Sequence, residues 1–235
     1  MGMDKAMLLW DSSIGGAGNL TCTLLDHAMR RLQLVCATVQ VCVAKDSIEQ
    51  AEEHSASGFQ LVDFSSPQFL LDAADGVGPL GGIVAALEHT QTEWNLFLGV
   101  DLPLITVEFL RALCARCALV TSVCGPVSLL AVVPVFGGQP QPLCSLMHHS
   151  LVPHLRESLL QGNYKIMHAL QIAASAISTE NGPGRLDLWD MENIAEAGNP
   201  SSTQPRWKLE EMFLNINTPE DWEEAKRIVS RVECV

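Results

Sequence analysis

The stretch Trp94-Asn95-Leu96-Phe97-Leu98-Gly99-Val100-Asp101-Leu102-Pro103 decides how this chain is read. Residues 94–100 form a short apolar run without strict alternation, as expected of a strand covered on both faces of a sheet. The run ends on a carboxylate, Asp101, and Pro103 breaks the line. Thr106 then stands where it can cap a helix over residues 106–117. In a doubly wound sheet, ligands sit beyond the carboxyl ends of the strands, so Asp101 marks the edge where chemistry is expected. A charge at the end of so apolar a run calls for a partner. The plainer alternative is that Asp101 caps the turn that Pro103 favours.

Working outward, helical periodicity alternates with β-branched runs. Residues 24–34 place Leu24, Leu25, Ala28, Met29 and Leu32 on one face and lead into a strand over 35–44. Helices are expected over 82–90, 151–160 and 164–173, and a last strand over 213–216. Thr218-Pro219-Glu220-Asp221 opens a closing helix, with a cap residue followed by proline at the first helical position. The Gly-, Pro-, Asn- and Ser-rich stretch 178–205 reads as a surface excursion. Residues 117–136 are long and apolar but contain Gly125, Pro126 and Pro134, so they read as two buried strands around a turn and not as a membrane span. The order predicts an α/β fold with a doubly wound, mostly parallel sheet flanked by helices, a Rossmann-type three-layer sandwich. All 235 residues are expected to form one domain, 1–235.

With 14 Lys+Arg against 27 Asp+Glu, the formal charge is −13, which repels a polyanion and excludes nucleic acid as a natural partner. A small phosphate ligand in so acidic a protein needs a local cation, either a lysine or a divalent metal on carboxylates. Eight cysteines are scattered without disulfide-like spacing. The N-terminal residues lack the basic flank and apolar core of a signal peptide, so a cytoplasmic protein with reduced thiols is expected. Cys114 and Cys117 form a lone CxxC on a helix, read as buried thiols. His148 and His149 are adjacent and diverge, so they are read as packing or surface residues.

Four loops carry candidate chemistry. Met1-Gly2-Met3-Asp4-Lys5-Ala6 sets a glycine near a lysine able to neutralise phosphate as a point charge, or is only a solvated terminus. Asp72 precedes a glycine-dense turn, Gly78-Pro79-Leu80-Gly81-Gly82-Ile83, that runs into a helix. Such a turn lets a ligand approach the backbone at the positive end of the helix dipole, although an ordinary turn would look the same. Asp101 could bind Mg2+ and through it a polyphosphate. Asn215 and Asn217 alternate across a strand end, with helix capping as the competing reason for Asn217 and Thr218.

Taken in this order, the four segments resemble the molybdenum cofactor guanylyltransferases. Met1-Gly2-Met3-Asp4-Lys5-Ala6-Met7-Leu8 is similar to the end of their opening signature, Gly78 to Ile83 to their second glycine segment, Val100-Asp101-Leu102-Pro103 to their magnesium-ligand motif, and Asn215 to Asp221 to their closing motif. The resemblance implies a nucleotide-diphospho-sugar transferase-like fold and Mg2+-dependent transfer of GMP from GTP to molybdopterin, giving molybdopterin guanine dinucleotide and pyrophosphate. It implies Lys5 and Asp101 as catalytic residues and Asp101 as the metal ligand. Gly2, Lys5, Asp72, Gly78, Pro79, Leu80 and Asp101 are implied at the nucleotide, and Asn215 and Asn217 at the second substrate. Molybdoenzymes or other cofactor-biosynthesis proteins are implied partners.

The chain departs from the pattern at its front, where the family has a strand and a glycine-rich phosphate loop ahead of the segment that contains Met1 and Gly2. That missing strand belongs inside the sheet, so its neighbours are expected to have unpaired edges. Gly15-Gly16-Ala17-Gly18 reads as an expanded turn and not as a replacement loop. Val43-Ala44 offers no amide side chain where relatives often present asparagine. A cytidylyltransferase, or a catalytically degenerate nucleotide-binding relative, remains an alternative reading.

Overall fold

A computed structural model describes residues 5–11, 21–44, 69–124, 128–179, 182–191 and 209–233. In chain order these form β1 (Leu9–Asp11), β2 (Thr21–Thr23), α1 (Leu24–Gln33), β3 (Val41–Val43), β4 (Phe69–Leu71), α2 (Pro79–His89), β5 (Trp94–Leu98) and α3 (Val107–Cys124). They continue as β6 (Leu129–Phe136), β7 (Gln139–Pro140), β8 (Cys144–His148), α4 (Val152–Leu160), α5 (Ile166–Ala176), β9 (Ser178–Thr179), β10 (Gly182–Pro183) and β11 (Arg185–Asp190). The last elements are α6 (Leu209–Met212) and α7 (Pro219–Glu233).

The central sheet runs β11-β6-β8-β5, with β7 paired on β6. β11 is parallel to β6, whereas β8 is antiparallel to both β6 and β5. β5, β6 and β11 therefore share one direction and β8 is the inverted strand between two of them. β3 and β4 form a separate parallel pair, and β1 and β2 an antiparallel one. β6 explains why this sheet needs two covering layers: Leu129, Leu130, Ala131, Val132 and Val133 are all buried, so both faces of the strand are apolar. Leu80, Val84 and Leu87 of α2 pack with α4 and α5 on one face. On the other, Leu113, Cys117 and Val120 of α3 cover Leu129, Val132 and Leu146. Each fully buried leucine contributes roughly 1.5–3 kcal/mol relative to exposure.

Several sequence expectations shift. α3 runs on to Cys124, so residues 117–136 are the end of a helix followed by β6, and not two strands. Buried Leu113, Cys117 and Val120 continue a helical spacing that the β-branched residues around them obscure. No helix among the described residues is long and apolar enough to cross a membrane. The strand expected over 35–44 shortens to β3, because the amides of Val35 and Cys36 are used by the carbonyl of Leu32 in the turn that ends α1. The stretch 178–205 is not all surface excursion, since β11 lies in the central sheet. There the buried Asp187 accepts two bonds from Arg116, at 2.7 and 3.0 Å. Residues 192–205 lie outside the described residues. Residues 213–216 are not a strand. Phe213 and Leu214 donate their amides to Leu209 and Glu211, and Ile216 donates across the fold to the Asp101 carbonyl at 2.9 Å.

Candidate active site

The turn after β5 is tied down atom by atom. Gly99 donates its amide to the Leu143 carbonyl at 2.7 Å, and Leu102 donates to Gly99 at 3.3 Å. The Asp101 carboxylate folds back over Gly99 so closely that a Cβ at position 99 would lie 2.5 Å from Oδ1 and 3.4 Å from Leu143 Cβ. Only a residue without a side chain leaves the carboxylate there. Two residues on, the Pro103 carbonyl accepts from Arg31 and lies 2.9 Å from Nε2 of the buried His27.

The second loop is built on the end of the β3–β4 pair. Asp72 donates its amide to Val43 at 3.0 Å, Ala73 to Gly81 at 3.2 Å and Gly81 to Gly78 at 3.0 Å. Gly78 takes φ +65°, a left-handed conformation suited to glycine, and Pro79 then starts α2. Asp72 is packed against Gly82, where an added Cβ would meet Oδ1 at 3.0 Å. Burial, helped by the charge of Asp75, raises the Asp72 pKa above the ordinary carboxylate value.

Lys5 sits in a short 3-10 turn and donates from Nζ to Oδ1 of Asn217 at 2.6 Å. Asn217 is itself fixed at the entry to α7. Its amide and that of Thr218 donate to Asp221 Oδ2 at 3.0 and 2.8 Å, while Asp221 donates its amide to Thr218 Oγ1 at 3.2 Å. These bonds, from Thr218 first and then Asn217, hold the Asp221 carboxyl below its ordinary range, and Lys5 adds to the effect. The segment 216–217 thus touches both candidate catalytic groups, through the Ile216 amide on Asp101 and the Asn217 carboxamide on Lys5. Sequence reasoning placed Asn217 at the second substrate and missed its bond to Lys5; nothing in the local spacing signals a contact between residues so far apart.

One cavity of about 1310 Å3 brings these loops together, lined by Lys5, Asp72, Gly78, Pro79, Gly82 and Asp101. Leu80 is fully buried in the core and is not among the residues that line the cavity. Asn215 and Asn217 are exposed and do not line the cavity. Gly2 and Gly15-Gly16-Ala17-Gly18 lie outside the described residues. The cavity continues between β3 and β5, which form no ladder with each other among the described residues. Ala44 lines it where no amide side chain is available.

Cys42, Cys114 and Cys117 also border the cavity as free thiols, and burial pushes all three pKa values up, which disfavours the reactive thiolate. His148 packs edge-on to Trp94 and caps a 3-10 turn through Ser150. Among the described residues no group of three or more His, Cys, Asp or Glu side chains is arranged to hold a metal. The carboxylates that line the cavity are those of Asp72 and Asp101.

A cavity at the strand ends that offers a lysine, two carboxylates and a glycine-bounded helix start is the equipment of a nucleotidyltransferase, and similar proteins bear this out. Residues 1–175 match the family described as the MobA-like NTP transferase domain, and the chain belongs to that family. It is similar to a molybdenum cofactor guanylyltransferase of Serratia proteamaculans, 25% identical over 210 residues, which span 88% of this chain and 83% of that protein. The fold is shared with the crystal structure of molybdopterin-guanine dinucleotide biosynthesis protein A from Archaeoglobus fulgidus, at TM-score 0.62 and 22% identity, covering 98% of this chain and 92% of the other. It is also shared with 2-C-methyl-D-erythritol 4-phosphate cytidylyltransferase from Thermus thermophilus, at TM-score 0.52 and 16% identity, covering 96% and 94%.

Proposed function

We propose that residues 1–235 act as one nucleotidyltransferase domain that transfers GMP from GTP to molybdopterin in the cytoplasm. An oxygen of the molybdopterin terminal phosphate attacks the α-phosphorus of GTP. A P–O bond forms there, the bond to the β-phosphate oxygen breaks, and pyrophosphate leaves with that electron pair. No protein nucleophile is required, so the protein contributes positioning and charge neutralisation.

The observation that carries this reading is the convergence of Lys5, Asp72, Gly78 and Asp101 on one cavity. Lys5 places its ammonium against the triphosphate, oriented by Asn217. Asp72, Gly78 and Pro79 hold the nucleotide from the cavity wall, and Gly2 and Leu80 are assigned to it by the family resemblance alone. Asp101 is the carboxylate that would hold Mg2+, which supplies Lewis-acid neutralisation of the phosphates when bound. Asn215 and Asn217, exposed and outside the cavity lining, are assigned to molybdopterin by the family resemblance alone. A molybdoenzyme or another cofactor-biosynthesis protein would receive the product.

The test is calorimetry with GTP, CTP and ATP, each with and without Mg2+, on the wild type and on Asp101→Ala. Mg2+-dependent GTP binding that is lost in Asp101→Ala is expected. A preference for CTP would reassign the substrate, and indifference to all three nucleotides would contradict the reading.

A further inference from the structure

A half-buried cation, Arg31, bonds to the Asp101 turn from outside the residues assigned to the reaction. α1 is firmly rooted: Thr23 and Asp26 form a reciprocal capping box, and Leu24, Leu25, His27 and Ala28 are buried. From its last turn Arg31 reaches inward and donates from Nη1 to the Pro103 carbonyl, which also accepts from Nε2 of His27 at 2.9 Å. The Pro103 carbonyl can only accept, so Nε2 carries the His27 proton and donates it there. Burial and the neighbouring Arg31 charge outweigh the bond to Pro103 and lower the His27 pKa to about 3, which keeps the ring neutral. Arg31 itself, lowered by burial to about 10, still carries its charge at neutral pH.

A guanidinium held this way is costly unless it satisfies acceptors, and here it grips a carbonyl two residues beyond Asp101. The opposite side of the same turn is held by the Ile216 amide on the Asp101 carbonyl, at 2.9 Å. The turn is thus pinned at two points, one from α1 and one from the approach to α7. We propose that Arg31 is a positioning residue that, through Pro103, fixes the Asp101 carboxylate at the cavity, with neutral His27 as the second donor to the same carbonyl. The consequence for metal binding rests on the guanylyltransferase reading, whereas the effect on the turn does not.

The experiment measures residue-resolved amide exchange and, separately, Mn2+ affinity in the presence of GTP, in wild type, Arg31→Met and Arg31→Lys. In Arg31→Met the Leu102, Ile105 and Ile216 amides should exchange at least tenfold faster, as expected for loss of a hydrogen bond from a charged donor, while α5 amides keep their rates. Mn2+ affinity should fall about tenfold, and Arg31→Lys, which keeps one charged donor, should recover most of both effects. Unchanged exchange in the turn, equal acceleration throughout α5, or a loosened turn with full Mn2+ affinity would overturn the proposal. If wild type binds no Mn2+ with GTP, the metal reading fails, and the exchange pattern still decides whether Arg31 sets the turn. Should Arg31→Met fail to fold, Arg31→Lys decides: loosening of a few-fold confined to the turn is expected, and uniform loosening or none contradicts it.

Discussion

Gly99→Ala is the substitution from which the site geometry predicts most. A methyl group at position 99 would stand 2.5 Å from Asp101 Oδ1, with Leu143 Cβ at 3.4 Å on its other side. Ordinary contact begins near 3.4 Å, so the carboxylate must yield by about 1 Å, while Leu143 limits movement of the methyl. Gly99 has no positive φ, so the backbone accepts alanine and the fold should survive. Displacement of a group by about 1 Å can cost about 100-fold in rate. Gly99→Ala is therefore expected to lower kcat/KM for GTP by about that factor and to raise the Mg2+ requirement, with thermal stability nearly unchanged. Pyrophosphate release followed across a Mg2+ titration reads both. The control is a double-mutant cycle with Asp101→Asn: if the methyl acts through the carboxylate, the double variant is little worse than Asp101→Asn alone. Additive losses, or full activity in Gly99→Ala, would refute the reasoning.

Other outcomes follow from the same contacts. Asn217→Ala removes the acceptor for Lys5 in a solvent-exposed setting, so a loss near 1 kcal/mol is expected, about fivefold in kcat/KM for GTP. A change confined to KM for molybdopterin would instead make Asn217 an acceptor-binding residue. Asp72→Asn should abolish nucleotide binding yet raise the melting temperature at pH 7. A carboxyl whose folded pKa is raised costs stability once it ionises, and the gain should vanish as pH falls below the ordinary carboxylate range. A lower melting temperature at pH 7 would contradict this. His27, neutral in the fold down to about pH 3, makes unfolding easier as pH drops below the usual histidine value of 6.5. Its contribution approaches about 1.4 kcal/mol per pH unit, because the unfolded chain takes up the proton first. Urea titrations at pH 7, 5.5 and 4.5 should show a shallower acid slope in His27→Gln, and identical slopes would show that this ring does not titrate as described.

Much of the site was legible because its residues occupy local patterns. Asp101 follows an apolar run, Gly78 and Pro79 carry turn and helix-start chemistry, and Thr218-Pro219 opens a helix, each readable within a few residues. The closing helix and the helix capped by Thr106 are present, with Phe109 donating its amide to Thr106 Oγ1 at 3.1 Å. What escaped was set by distant partners. Arg185–Asp190 looked like an excursion because glycine and proline precede it, and because Asp187 breaks an apolar alternation that Arg116 makes tolerable. Residues 213–216 looked like a strand, but their amides are satisfied by a short helix and by the Asp101 turn. The roles of Arg31 and Asn217 depend on Pro103 and Lys5, far away in the chain, and no periodicity within α1 or before α7 announces them.

The most direct measurement of the central claim is the product itself. Wild-type protein incubated with molybdopterin, GTP and Mg2+ should yield pyrophosphate and molybdopterin guanine dinucleotide in equal amounts by mass spectrometry, and both should disappear in Asp101→Ala and fall strongly in Lys5→Ala. Dinucleotide formation that persists undiminished in both variants, or no dinucleotide from the wild type with any nucleoside triphosphate, would contradict the account.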